Sequence, residues 1–184
     1  ANVPIQKTSL GAGYSQRSYG RGGLVPTFVS HNRGIGRGVS PNVHYRGKDI
    51  REALDGLKGE TGDPFEGVAL DIVNPVTGAP LFATLGFGAQ LLRPGEETLA
   101  KRETSNVVYV VLEGRGQTEV AGRTFEWEEN DIFVVPNFLW RRHVNKGGKD
   151  AVLYTMNDVP LLSKIAQYRA QGRQKDGRIV QLVA

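Results

Sequence analysis

The sequence predicts an all-β domain, a sandwich or small barrel, with an irregular N-terminal arm and two short helices. Three observations carry this expectation. From Val68 to Asn157, short apolar and β-branched runs alternate with clusters of Gly, Pro, Asn and Asp, the punctuation of a strand-rich chain. Helical periodicity is confined to two short stretches, one on each side of that region. Charge and glycine are unevenly placed: residues 1–48 hold seven Lys or Arg, nine Gly and no acid, whereas residues 49–184 hold 16 basic and 19 acidic side chains. The formal net charge of +4 therefore belongs to an arm over 1–48, and the domain is set at 49–184.

The arm contains "SYGRGGLVP" and "RGIGRGVSP", with neither helical nor strand period. Arg-Gly segments bind single-stranded nucleic acid through charge and stacking, but little aromatic interleaving accompanies these two. An arm laid over a partner domain or subunit is the preferred reading, and nucleic acid is not the expected partner. Next, "DIREALDGLKG" (49–59) has apolar residues at 50, 53, 54 and 57, the stripe of a short amphipathic helix. Asp49 is placed to cap its start and Gly59 to end it. Strands are then expected at 68–73, 81–92, 106–113, 116–120, 123–127, 131–135, 138–145 and 150–156. In "EVAGRTFEW" the pair Ala121-Gly122 separates two alternating runs, which predicts a hairpin. "NDVPLLSKIAQYRAQG" reads as a C-terminal helix, with Pro160 in the first turn, a stripe of Leu161, Leu162, Ile165, Ala166 and Tyr168, and Gly172 as its stop. "DGRIVQLVA" adds a last extended segment.

Several function classes fall away on composition. The chain has no cysteine, so neither a disulfide framework nor a Cys-zinc site is available. No run of 18 apolar residues predicts a membrane helix, and no apolar segment near the N-terminus predicts a signal peptide. A cytoplasmic protein is expected. The chain starts at Ala1, not Met, which leaves processing, tagging and excision from something longer all open. "GRGG" and "GIGRG" lack the Lys-Ser/Thr and strand-helix context of a phosphate loop. Three scattered histidines, His31, His44 and His143, support no Ser-His-Asp arrangement, and His31 and His44 make a poor metal pair.

The stretch "LLRPGEETLAKRETSNVVYVVLEGRG" (91–116) has the frame of a metal-binding cupin without its ligands. The two cupin motifs are G-x5-H-x-H-x3-4-E-x6-G and G-x5-P-x-G-x2-H-x3-N. Here Gly95 is followed by Lys101 and Glu103, Val107 holds the acid position and Gly114 closes the first motif. In the second, Pro136 is followed by Arg141 and Asn145, while Asn130 and Phe138 stand at the two glycine positions. Together with "DPFEGVALDIVNPVTGAP" before it and "DAVLYTMNDVPLLSKIAQYRAQG" after it, this region resembles the gentisate 1,2-dioxygenase family, which includes salicylate and 1-hydroxy-2-naphthoate dioxygenases. The likeness covers residues 45–184 and is to the C-terminal half of a two-cupin chain.

That resemblance implies a cupin (double-stranded β-helix, jelly-roll) barrel, no cofactor in this chain, and Fe(II) in an N-terminal cupin of the full protein. There, iron would hold a substrate's carboxylate and adjacent hydroxyl and activate dioxygen for ring opening between those two carbons. The expected partners are that N-terminal cupin and further copies in a homo-oligomer. The alternative is a stand-alone degenerate cupin serving as a small-anion-binding or oligomerisation module.

The residues at the ligand positions agree with the absence of metal. Positions 101 and 103 share one face of a strand, and Arg141 would meet them across the barrel. Arg does not release its proton to bind a metal. A salt-bridge cluster of Lys101, Glu103 and Arg141 is therefore expected at the barrel mouth. Glu103 is better read as an ion-pair partner than as a ligand or general base. Val107, His143 and Trp140 are candidate pocket residues. His143 alone is better read as a hydrogen-bonded structural residue, and Trp127 and Trp140 as core or interface aromatics.

Overall fold

The structure, a computed structural model, describes residues 44–75 and 77–183. Nearly all of the arm, with His31, lies outside the described residues. Helix α1 (Gly47–Leu57) leads into β1 (Val68–Ile72), β2 (Gly86–Leu92), β3 (Ala100–Glu103), β4 (Val107–Glu113), β5 (Arg115–Val120), β6 (Arg123–Glu128), β7 (Ile132–Val135), β8 (Arg141–Asn145) and β9 (Ala151–Asn157). A short helix α2 (Val159–Lys164) precedes β10 (Ala170–Arg173) and β11 (Ile179–Val183). The strands form two antiparallel sheets, one ordered β1-β2-β9-β4-β7 and the other β11-β10-β3-β8-β5-β6. β4 and β5 belong to different sheets and are joined through Gly114, whose φ is 83°. A Cβ there would lie 2.7 Å from the Asp150 carbonyl oxygen, so the crossing between sheets requires glycine.

Strand alternation sorts side chains into two cores. Inside the barrel, Leu92, Val107, Tyr109, Val111, Val120, Trp127, Val135, Ala151 and Leu153 form one buried cluster. Outside the first sheet, Leu54 of α1 packs on Val68, Ala89, Leu91 and Val152. Ile50 helps this contact, but Ala53 and Leu57 of the expected stripe are exposed. Ion pairs tie α1 to the barrel: Arg51 reaches Glu113 and Asp150, and Lys58 reaches Asp150 at 2.6 Å.

The structure differs from the sequence reading in several places; the strand expected at 138–145, for one, starts only at Arg141, after Phe138 has turned the chain with φ 57°. α1 starts at Gly47 with Arg46 as N-cap; Asp49 sits in the first turn and accepts from Arg46 Nε at 2.9 Å instead of capping. β2 starts at Gly86, not 81, because its partner β9 ends at Asn157, opposite Gly86. "AKRE" forms β3 despite having no apolar alternation, since it is paired on both sides. The C-terminal helix stops at Lys164, and Ala166 adopts φ 56°. The chain then turns back as β10, pairing Ala170 with Glu103 and Gly172 with Lys101. Four cross-strand pairs to β3 outweigh the weak helical preference of a short amphipathic segment. Gly172, read as a helix stop, is a strand residue whose missing side chain leaves room for the Phe65 ring.

Candidate functional site

Two cations face each other in the sheet. Lys101 of β3 is the direct cross-strand partner of Arg141 of β8, an arrangement that alone is repulsive. Two carboxylates offset it. Arg141 Nη2 lies 2.8 Å from Glu103 Oε1 and 3.1 Å from Glu66 Oε1. Lys101 Nζ lies 2.6 Å from Glu66 Oε1 and 3.6 Å from Glu103 Oε2. Two phenols complete the group: Arg141 Nε donates to Tyr109 OH at 2.6 Å, and Tyr168 OH donates to Glu103 Oε2 at 2.7 Å. Lys101, Glu103 and Arg141 are thus brought together, with Glu66, Tyr109 and Tyr168 beside them.

The cluster is dry enough for charge to dominate. The Arg141 side chain is 4% exposed and that of Glu103 6%. Burial opposes ionisation of Glu66, yet Arg141 and Lys101 outweigh it and hold its carboxyl below the ordinary value. Burial likewise disfavours charge on Arg141, but Tyr109, Glu66 and Glu103 raise its pKa above that of a free guanidinium. Burial pushes the Tyr109 and Tyr168 hydroxyls up, so both stay protonated. The result is an electroneutral set of two cations and two anions with two neutral phenols.

Glu66 is held by a turn. Asp63 Oδ1 accepts from the backbone N–H groups of Phe65 at 2.7 Å and Glu66 at 3.0 Å, and Gly67 follows with φ 72°. In the sequence this stretch entered only as part of the family resemblance, with no role given to Glu66. Tyr109 could have been found from spacing, since it lies two residues after Val107 on the same strand face. Tyr168 was hidden by the helical reading of its segment.

The cluster forms one wall of a cavity of about 510 Å³, also lined by Val107. The other candidate pocket residues do not line it. His143, 1% exposed, is sunk in the barrel below Arg141, where its Nδ1 is 2.8 Å from Thr118 Oγ1 and its ring centroid 4.9 Å from that of Tyr109. Burial, with help from Arg141 and Lys101, lowers its pKa to about 3. Trp140 precedes Arg141 and so faces the other way; its ring lies 4.6 Å from the Arg102 guanidinium carbon and 4.3 Å from that of Arg173. Trp127 is buried in the barrel core and donates to Thr118.

The donor set does not suit a divalent metal. A carboxylate saturated by two cations has no reason to exchange them for an ion, and neither Arg nor charged Lys offers a lone pair. Among the described residues no group of three or more His, Cys, Asp or Glu is placed to hold a metal. Nor is any described helix long and apolar enough to cross a membrane.

A family model for the cupin domain matches residues 88–157, the segment that supplies most of both sheets. The barrel is a cupin. The chain is 40% identical over 139 residues to a 5-aminosalicylate 1,2-dioxygenase of Comamonas sp, covering 74% of this chain and 37% of that one. It is 31% identical over 166 residues to gentisate 1,2 dioxygenase 1 of Aquipseudomonas alcaligenes, covering 90% of this chain and 46% of the relative. Among solved structures, salicylate 1,2-dioxygenase from Pseudoaminobacter salicylatoxidans superposes with a TM-score of 0.71 at 28% identity, over 88% of this chain and 44% of that one. The chain therefore spans less than half the length of these relatives. The cupin frame persists in the backbone even where residues have changed. Gly95 and Gly114 have φ of 72° and 83°, and Asn130 and Phe138, at the other two motif glycine positions, keep φ of 75° and 57°.

Proposed function

We propose that this cupin is the C-terminal, metal-free half of a gentisate-type ring-cleaving dioxygenase, acting as scaffold and assembly surface for an N-terminal cupin that holds Fe(II). The observation that carries this reading is the electroneutral cluster in which Lys101, Glu103 and Arg141, at motif positions where a catalytic cupin has metal ligands, are joined by Glu66. Relatives named as aromatic 1,2-dioxygenases, matched over less than half their length, support the class of enzyme and a partner domain. The outer face of the first sheet supports an assembly role, because it is apolar beyond the area that α1 covers. The small-anion alternative is less favoured, since both cations of the cluster are already engaged by carboxylates.

The test is metal analysis of the purified chain after incubation with ferrous iron, alongside oxygen uptake with gentisate and 5-aminosalicylate. The chain alone is expected to retain no stoichiometric iron and to consume no oxygen. One iron per chain, lost on Glu103→Ala, would overturn the reading.

A further inference from the structure

Opposite the charged cluster, the cavity has a second wall of different character. It is built from the inward faces of β1, β2 and β9, and two of its positions are glycines, Gly86 and Gly88. Gly88 is glycine because a Cβ there would lie 2.8 Å from the Leu70 carbonyl oxygen and 2.9 Å from Thr155 Oγ1. Beyond it stands Gln90, paired across the sheet with Ala69 and Leu153 and on the same inward face as core residue Leu92. Gln90 is 2% exposed and lines the cavity. Neither its Nε2 nor its Oε1 has a hydrogen-bond partner among the described residues. A buried amide with both ends unpaired is costly to a fold, and an apolar residue would fill the site at no such cost. Its retention at a cavity wall has a chemical use if the cavity takes a guest.

We infer that the cavity binds a small uncharged ring compound bearing a carboxamide-type edge, recognised by the side-chain amide of Gln90. The argument has three parts. The amide presents a donor and an acceptor side by side, and a carboxamide returns an acceptor and a donor in the same spacing. The facing wall is already neutral: each of Glu66 and Glu103 lies within 4 Å of both Lys101 and Arg141, so an ionic guest set against it must break a pair that a neutral guest leaves intact, and the one charge of the lining outside the cluster, Asp71, is exposed at the rim, where water screens a pair to little worth. The rest of the lining includes the apolar and aromatic side chains of Val107, Tyr109, Val159 and Pro160, and the volume falls in the range of small-molecule sites. This inference goes beyond the scaffold role and does not require it, for the guest site is independent of iron and of ring cleavage.

The probe is benzamide, with benzoate and benzylamine as anionic and cationic counterparts of similar shape. Binding to the 184-residue chain is followed by the Gln90 side-chain NH₂ resonances in a proton–nitrogen correlation spectrum. Saturable benzamide binding is expected, with a dissociation constant at or below about 10 mM, the scale for so small a ligand. The Gln90→Met variant, close in volume, is expected to bind roughly tenfold more weakly and to be no less stable than the parent. Benzoate or benzylamine binding more tightly than benzamide would overturn the inference, as would undiminished binding by Gln90→Met or no saturation by benzamide. Should the variant fail to fold, benzamide titration without movement of the Gln90 NH₂ signals overturns it equally well. None of these results depends on iron content or oxygen uptake, so failure here leaves the scaffold reading standing.

Discussion

At the scale of single residues, Arg141 and His143 are neighbours on one inward strand face with opposite solutions to burial. Arg141 keeps its charge by holding two carboxylates and a phenol; His143 gives its charge up. Removing Arg141 leaves Glu66 and Glu103 with Lys101 alone, and stranding a buried charge costs on the order of 3–5 kcal/mol. Arg141→Met is therefore expected to lower unfolding free energy in urea by about that amount, and a loss within 1 kcal/mol, the range of exposed pairs, would show that water screens the cluster. For His143 the folded pKa of about 3 lies below the ordinary value of 6.5. Between those two values the unfolded chain binds a proton that the folded chain does not. Stability from this residue is then complete above pH 6.5 and falls as the pH drops, by about 1.4 kcal/mol per unit. Urea titrations at pH 7 and pH 5 are expected to differ by about 2 kcal/mol from this source, and His143→Gln is expected to remove most of that difference. A variant with an unchanged slope would assign the acid sensitivity to other groups.

At the scale of elements, legibility followed hydrophobic pattern. β4 and β7 were readable because Val, Ile, Phe and Tyr dominate them, β9 because Ala, Val, Leu, Tyr and Met make up most of it, and the β5–β6 hairpin because Ala121-Gly122 marks its turn; both residues have positive φ. β3 was hard to read as a strand from pattern, since "AKRE" faces a charged cluster instead of an oily core; only the motif spacing placed it. The same spacing located Lys101, Glu103 and Arg141, but Glu66 comes from a turn distant in sequence, and no local pattern ties it to them. The region after α2 was misread because Leu161, Leu162, Ile165 and Ala166 do fit a helical stripe, and a decision made by pairing with β3 leaves no trace in that stripe. Ala166 marks the place where the two alternatives part. It holds φ 56°, a conformation that costs an L-residue roughly 1–2 kcal/mol and glycine almost nothing. After allowance for the greater freedom glycine has when unfolded, Ala166→Gly is expected to stabilise the domain by about 0.5–1 kcal/mol, and Ala166→Val to destabilise it. Thermal or urea unfolding of the pair decides this; a less stable glycine variant would mean that the chain does not turn there as described.

At the scale of the whole molecule, the first sheet is apolar on both faces. Its inner face makes the barrel core, and α1 covers the outer face only over β1, β2 and the start of β9. The remainder presents Val108, Val110 and Leu112 from β4, Ile132 and Val134 from β7, and Tyr154 and Met156 from β9, with Leu112, Ile132 and Val134 exposed at 42%, 67% and 55%. β7 is also the edge strand of that sheet, and monomeric proteins rarely leave a contiguous apolar edge of this kind uncovered. The scaffold reading proposed above assigns assembly to this face, and in the isolated chain a second copy is an available partner. The chain is therefore expected to self-associate at micromolar concentration in sedimentation velocity, with association rising with concentration. Ile132→Lys with Val134→Lys places two charges on the outward side of β7, where no core contact is lost, so the fold should survive with unchanged far-ultraviolet circular dichroism. Burying two unpaired ammonium groups in an apolar interface is prohibitive, so association should weaken by at least about tenfold, equivalent to some 1.4 kcal/mol. A parent chain that stays monomeric throughout, or a double-lysine variant that associates as before, would place the assembly surface elsewhere on the molecule.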